Sequence, residues 1–355
     1  MITFVKPTIS RKDLMQVLEC MLSEKFASGE LCARFEKKLC EYTGGKYFSA
    51  VSSVSAAVYL ILKCIKISPG DEIIISALTD IRVLEIINCF KAVPVVADTL
   101  PQSFQIDPEK IKTVVTDKTK AVIIGHTLGY PADIPQFLLE NNELLKNHNI
   151  AVIEDCCHSL GSVLNGQHTG TAGDFAFFSF DSDSTITTET GGAVLCKNRS
   201  DHLQIKNFYT IDDILSSSGR IHMKLSDIQA AMGLSEISLI AKFLQRRREI
   251  GDFYAQAAGR GKHIFLTPQP PAEYNYYRFP LIINSSVKMV TELFKKYKIE
   301  IISPIKMTAY EYLHLPLSED CNARNTAIKT ICIPLYPTLK KNQIEQIGKL
   351  IANIP

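Results

Sequence analysis

Ala151-Val-Ile-Glu-Asp-Cys-Cys-His158 and Phe175-Ala-Phe-Phe-Ser-Phe-Asp-Ser-Asp-Ser-Thr-Ile-Thr-Thr-Glu-Thr-Gly-Gly192 decide the fold reading. The first opens as a short apolar run, Ala151–Glu154, and ends in two carboxylates. Short apolar runs bounded by turn signals read as fully buried strands. Asp155 therefore stands at the carboxyl end of a core strand. The second is an aromatic strand that enters a polar turn and closes on Gly191-Gly192. Upstream, the same kind of run recurs at Tyr47–Val51, Glu72–Ile75, Val93–Ala97 and Ala121–Gly125. Helix-length segments separate these runs: Ala56–Lys66, residues 80–90 and residues 134–147. Two more helices precede them, one over 12–22 with Leu14, Leu18 and Leu22, and one carrying Phe35 and Leu39 that stops at Gly44-Gly45. This alternation predicts an α/β fold with a mostly parallel sheet covered by helices. Ligands of such sheets bind beyond the carboxyl ends of the strands. Four segments should then meet there: Ser52–Ser55, Ser76–Asp80, His126–Gly129 and Asp155–His158.

Past a long helix, Ser226 to Ala258, the pattern changes. A strand (Tyr277–Ile283), a helix (Val287–Tyr297), short strands at Ile299–Ile302 and Thr330–Ile333, and a last helix from Lys341 predict a smaller α+β domain. The division is 1–245 for the large domain and 246–355 for the small one, with Pro268–Pro271 as a loop. The 39 basic and 37 acidic side chains nearly cancel, which argues against a nucleic-acid partner. Arg246-Arg247-Arg248 sits inside a helical pattern and reads as a solvated or interface face. No apolar run reaches membrane-spanning length, and the first residues lack a signal-peptide pattern. The expectation is a cytoplasmic protein whose ten cysteines are free thiols. Cys64, Cys89 and Cys332 read as small hydrophobes, and no metal site is expected.

These residues carry a resemblance. Ala27-Ser-Gly29, Phe35-Glu36, Asp98, Asp107-Pro-Glu109, His126-Thr-Leu-Gly129, Glu154-Asp-Cys-Cys-His-Ser-Leu-Gly161, Phe178-Ser-Phe180, Asp227-Ile-Gln-Ala-Ala231 and Ile333-Pro-Leu-Tyr-Pro337 occur in this order. Together they resemble the pyridoxal phosphate (PLP) dependent sugar aminotransferases of the DegT/DnrJ/StrS type, which have the fold type I architecture. The resemblance implies a cytosolic homodimer acting on sugar nucleotides. It implies that Asp155 binds the pyridine nitrogen, that His158 lies beside the ring and that Ser179 meets the phosphate. The turn of Ser53, Val54 and Ser55 opens a helix whose N-terminal amides suit a phosphate.

The chain departs from the family pattern at the residue that matters most. Counted from Phe178-Ser-Phe180 or back from Gly191-Gly192, the lysine position is Ser184. Between Lys146 and Lys197 there is no lysine. That lysine would form the Schiff base with PLP and then move the proton, and a serine hydroxyl does neither. The aromatic residue expected to stack on the ring is Asp80, the threonine of the phosphate turn is Val54, and an asparagine and an arginine ahead of Asp227 are His222 and Lys224. Asp181 and Asp183 add negative charge beside Ser184. The reading is a diverged member without ordinary transaminase activity, a pseudoenzyme or partner subunit. Two alternatives stand. One is a dehydratase of 4-keto sugar nucleotides using pyridoxamine phosphate (PMP), with His158 or Asp183 moving the proton. The other is an aminotransferase whose lysine is displaced to Lys224.

Overall fold

The structure, a computed structural model, describes residues 1–23, 29–209, 221–260, 263–266 and 272–354. The expected Pro268–Pro271 loop, Ala27-Ser28 of the resemblance and residues 210–220 lie outside these. Five strands come first: β1 (Tyr47–Val51), β2 (Glu72–Ser76), β3 (Val93–Ala97), β4 (Thr119–Gly125) and β5 (Ala151–Asp155). A hairpin of β6 (Val163–Leu164) and β7 (Gln167–His168) leads to β8 (Phe175–Ser179) and β9 (Gly192–Cys196). Later come β10 (Ala272–Glu273), β11 (Phe279–Ile282) and β12 (Thr330–Ile333).

The main sheet has the order β1-β9-β8-β5-β4-β2-β3. Strands β8, β5, β4, β2 and β3 are mutually parallel, and β9 runs antiparallel to both β8 and β1. A parallel return from β8 needs a crossover, usually helical. The 180–191 turn contains no helix, so β9 comes back antiparallel. The strands read as unbroken apolar runs because both faces are covered: Ile73, Ile74 and Ile75 are all fully buried.

Local chemistry moves several boundaries. The helix Val54–Cys64 starts ahead of its apolar pattern because Ser53 caps it, Oγ accepting from Ala56 N at 3.1 Å. The expected helix 134–147 is two, Ile134–Glu140 and Asn142–His148. At the break, Asn141 Nδ2 donates to the carbonyl of Phe137 at 2.8 Å, the local competition that makes Asn a poor interior helix residue. Ile299–Ile302 makes only isolated bridges, Ile2 to Ile299 and Ile302 to Cys332, rather than a strand.

The helix Asp227–Ala258, closed at its start by a Ser226/Gln229 capping box, packs on the helices Arg11–Leu22, Glu30–Thr43 and Lys341–Ala352. Its arginine run is not a solvated face throughout. Arg247 is buried and donates to the carbonyls of Tyr276, Tyr277 and Leu335, while Arg246 and Arg248 pair with Glu249 and Glu273 on the surface. Three arginines in a row on a helix point about 100° apart, so one of them faces inward. Cys89 is likewise exposed rather than a core residue, and all ten cysteines are free.

The helix Arg11–Leu22 is amphipathic with its apolar side outward. Leu14 is 63% and Leu22 72% exposed, whereas Asp13 and Cys20 are buried. Among the described residues no helix is long and apolar enough to cross a membrane.

Candidate functional site

The carboxyl ends of β2, β4 and β5 open into a cavity of about 260 Å³. Thr79, Asp80, His126, Asp155 and His158 line it from the sheet side, and residues 302–307, including Lys306, line it from the opposite side. Three of the four segments expected at this edge therefore meet, and Ser52–Ser55 does not line the cavity. Gly129 (φ +94°) makes the turn beneath it possible: a Cβ there would meet Tyr274, Asn275 and the carbonyl of His158.

At the end of β5 two neighbouring carboxylates have different environments. Glu154 is buried and accepts hydrogen bonds from the amides of Gly170, Ala172 and Gly173 at 2.7, 2.9 and 2.6 Å. His126 Nδ1 accepts from Ala132 N at 2.9 Å, so its Nε2 carries the proton donated to Glu154 at 2.9 Å. Burial alone would raise the Glu154 pKa, but the hydrogen bond from His126 together with the glycine amides brings it below its ordinary value. Cys156 Sγ lies within 4.8 Å of these ligand atoms. Burial, with Glu154 beside it, pushes that thiol well up and keeps it protonated. With both Glu154 oxygens and both His126 nitrogens engaged, the group is a structural clasp that ties the glycine-rich loop to β5.

Asp155 faces the cavity. One of its oxygens accepts from Cys157 N at 3.0 Å. His158 stacks on Tyr277 (centroids 4.4 Å apart, planes at 18°), and its Nδ1 accepts from Leu128 N at 3.3 Å. Burial lowers its pKa, Asp155 pulls the other way, and the net direction is down, so the imidazole is neutral. Asp183, expected to leave a bare charge near Ser184, is paired instead. Arg278 Nη2 reaches it at 2.7 Å and Tyr277 Oη at 3.2 Å.

Ser53, Val54 and Ser55 form the first turn of their helix, pressed against the sheet. A Cβ on Gly192 would stand 2.9 Å from the Ser53 carbonyl. Ser52 N donates to the carbonyl of Met223, and Val54 is buried. Ser184 Oγ donates to Ser179 Oγ at 3.0 Å, and Ser179 Oγ also accepts from Asp181 N at 3.2 Å. Below Ser184 is a void of about 10 Å³ lined in part by Thr187, Glu236, Arg247 and Arg278. Glu236 accepts from Thr187 N at 3.2 Å through one oxygen, and its other oxygen has no partner. Burial raises its pKa to about 8.

Between these two groups runs an ion bridge that the sequence reading did not anticipate. Arg82 holds Asp80 through Nε at 3.0 Å and Nη2 at 3.1 Å, and holds Asp181 through Nη1 at 2.8 Å. Burial would raise the Asp80 pKa; the hydrogen bonds and charge of Arg82 outweigh it and take it down. The Asp-x-Arg spacing at a helix start was a usable signal for half of this bridge. The other half, to Asp181, is a contact across 99 residues. Arg278 and Tyr277 were missed for the same reason.

Neither remaining candidate reaches the cavity. The Lys224 side chain lies against Gly29, in the space a Cβ there would take. His222 is exposed and is not among the cavity residues.

These positions bear on whether a pyridoxal phosphate fits. The ring partners, Asp155 and His158, line the cavity, whereas the phosphate groups, Ser53–Ser55 and Ser179, do not. The residue that would stack on the ring is a carboxylate bound to Arg82, and the hydroxyl of Ser184 is engaged by Ser179. As arranged, these side chains do not fit the cofactor.

The comparisons with known proteins agree with the fold. The chain is 29% identical to GDP-perosamine synthase of Escherichia coli O157:H7, over 98% of this chain and 96% of that protein. It is 27% identical to the spore coat polysaccharide biosynthesis protein SpsC of Bacillus subtilis (strain 168), over 98% and 95%. The PMP form of the putative sugar aminotransferase Spr1654 from Streptococcus pneumoniae superposes with a TM-score of 0.91 at 23% identity, covering 99% of this chain and 98% of that one. The architecture is that of fold type I PLP-dependent aminotransferases. The sequence profile described as the DegT/DnrJ/EryC1/StrS aminotransferase family matches residues 7–352, and the chain belongs to that family.

Proposed function

We propose that this chain serves nucleotide-sugar or polysaccharide biosynthesis as a binding or partner subunit that does not transaminate. One observation carries the reading. At the position that the motif spacing counts as the family's lysine stands Ser184, its hydroxyl engaged by Ser179, while the displaced-lysine candidate, Lys224, lies at Gly29. Transamination needs an amine to hold the cofactor and shuttle the proton; Ser184 supplies none, and the amine that does line the cavity, on Lys306, stands on the segment 302–307 and not in the turn after β8. The biosynthetic setting is supported by the relatives, a GDP-perosamine synthase and a spore coat polysaccharide biosynthesis protein. In this reading the cavity of Asp155, His158 and Lys306 receives the sugar ligand. The outward apolar face of the helix Arg11–Leu22 supports a homodimer, since apolar patches of this kind mark partner surfaces. A division near residue 245, in the middle of the helix Asp227–Ala258, separates the main sheet from the part built on β11 and β12.

The test uses the purified chain with PLP and with PMP, an amino donor, and borohydride reduction followed by peptide mapping. The expected outcome is no amino exchange and no reduced adduct on any lysine. A label on Lys224 would replace this reading with that of a displaced lysine. Turnover of a 4-keto sugar nucleotide with PMP, lost in His158→Ala, would replace it with that of a dehydratase.

A further inference from the structure

The cavity at the carboxyl ends of β2, β4 and β5 carries its charge unevenly. Besides Lys306, the ionisable residues that line it are Asp80, His126, Asp155 and His158. Three of these are already answered within the chain. Asp80 is held by two nitrogens of Arg82, His126 has both nitrogens engaged by Ala132 N and Glu154, and His158 is neutral. Asp155 is different. One of its oxygens accepts from the Cys157 amide at 3.0 Å, and among the described residues no cation pairs with it. The Cys157 thiol beside it brings no charge, because burial pushes its pKa well up. Lys306 is exposed and pairs with no carboxylate among the described residues. The cavity thus has one unanswered negative charge at the end of β5 and one unanswered positive charge on the segment 302–307. The walls between them are mixed: the hydroxyl residues Thr79, Thr127 and Ser303, and the apolar Leu78, Ile302 and Ile305. Gly125 keeps the corner beside Asp155 open. A Cβ there would stand 3.2 Å from Thr127 Oγ1 and 4.0 Å from Asp155 Cβ, so a hydroxyl and the carboxylate share that corner.

We propose that the cavity binds its sugar as the amine and not as the ketone: one amino-sugar ring whose ammonium pairs with Asp155 and whose phosphate stands at Lys306. The inference rests on the proposal that this cavity receives a sugar ligand, and it names which. A ligand entering the cavity takes water away from the Asp155 carboxylate. A carbonyl offers that charge no proton, and a hydroxyl offers it a hydrogen bond without a countercharge. An ammonium offers both, and a carboxylate leaving water needs both. At about 260 Å³ the cavity lies just below the roughly 300–1,000 Å³ that holds drug-sized ligands, which is room for a single ring with hydroxyl and C–H faces. Lys306 is a compact charge on a flexible stem. It suits a phosphate monoester or the diphosphate of a sugar nucleotide that lies outside the cavity.

The experiment is a calorimetric titration of the unmodified chain, in buffer acidic enough to keep the sugar amine charged. The probes are glucosamine 6-phosphate, glucose 6-phosphate, glucosamine, and the pair UDP-glucosamine and UDP-glucose. Glucosamine 6-phosphate should bind roughly tenfold or more tightly than glucose 6-phosphate, the worth of a hydrogen bond to a charged group. It should bind more tightly than glucosamine by a smaller factor that shrinks in high salt, since Lys306 is exposed. Asp155→Asn should abolish the preference for the amine, and Lys306→Ala should abolish only the gain from the phosphate. A preference for the amine within the UDP pair as well assigns the diphosphate as a source of the anion; a preference confined to the 6-phosphates assigns the monoester. Equal binding of the two 6-phosphates would overturn the proposal, as would an amine preference that survives Asp155→Asn in a chain that melts cooperatively, or no binding of any probe. If Asp155→Asn fails to fold, the two 6-phosphates on the unmodified chain decide. Equal binding of the two leaves standing the proposal that the chain is a non-transaminating binding subunit. Amino exchange by the unmodified chain would overturn that proposal and leave the amine preference untouched.

Discussion

Glu154 and Asp155 are consecutive on one strand and belong to two regions with opposite character. Glu154 and His126 form a closed buried unit in which every hydrogen-bonding atom is used by groups within some twenty-eight residues of chain. Asp155 opens onto a region assembled from far apart: Asp80 and Arg82, Asp181, Asp183 with Arg278, and Ser179 with Ser184. The first region holds the glycine-rich loop to the sheet and would be needed in any protein of this fold. The second contains Asp80 and Ser184, which the motif spacing counts as departures from the family pattern. Two of its charges are half-exposed, Arg82 at 47% and Asp183 at 48%, while Arg278 is buried. Breaking the second region should therefore cost less folding energy than breaking the first.

The largest effect should come from breaking the closed unit. Glu154→Ala leaves three buried amides and the His126 N–H without an acceptor, which should cost about 3–5 kcal/mol in a urea unfolding series. Its pH dependence has a fixed sign. The folded pKa lies below the ordinary value, so the contribution is complete above the unfolded value of about 4.3 and is lost as pH falls through the folded one. The native chain should lose stability in acid faster than the variant does. A cost under about 1 kcal/mol would erase the contrast between the two regions.

The same contrast explains what could be read without coordinates. The sheet was legible because each strand is a local apolar run, and the cavity edge followed from the rule that such sheets bind at their carboxyl ends. Asp155 and His158 fell where that rule put them. What escaped was whatever depends on partners remote in sequence. Asp181 and Asp183 read as bare charges because their partners, Arg82 and Arg278, lie 99 and 95 residues away in sequence. Ser52–Ser55 sits at the same edge in sequence logic, yet does not line the cavity. The outward face of the helix Arg11–Leu22 was equally hidden, since an amphipathic pattern says which residues share a side and not whether that side meets the chain itself.

The second effect tests the floor of the altered region. Glu236 holds Thr187 N in the turn that carries Ser184, and its folded pKa is about 8. That pKa is raised, so the sign is opposite to that of Glu154. The contribution is complete below the unfolded pKa of about 4.3 and is lost as pH rises toward the folded value. Glu236→Gln keeps the acceptor and removes the proton equilibrium. The native chain should lose a few kcal/mol relative to the variant between about pH 5 and pH 9, read from paired denaturation curves. Parallel curves would place Glu236 in contact with solvent or with an unseen cation.

A smaller effect is expected at the bridge. Arg82→Ala removes hydrogen bonds to two carboxylates, but Arg82 is 47% exposed, and pairs in such positions contribute about 0–1 kcal/mol, less in high salt. Its loss should therefore be modest in dilute buffer and should shrink in about 1 M salt. A cost as large as that of Glu154→Ala would mean that the bridge supports the fold.

The smallest effect should be at the residue that defines the chain's departure. Ser184→Ala deletes a hydroxyl whose one partner among the described residues is Ser179 Oγ, and Ser179 keeps the amide of Asp181. No buried group is orphaned, so the change should stay within about 0.5 kcal/mol. A near-silent Ser184→Ala, set against a costly Glu154→Ala, is what the proposed reading of a retained frame without transaminase activity requires. A marked loss from Ser184→Ala, in stability or in ligand binding, would show that the serine has acquired a task of its own.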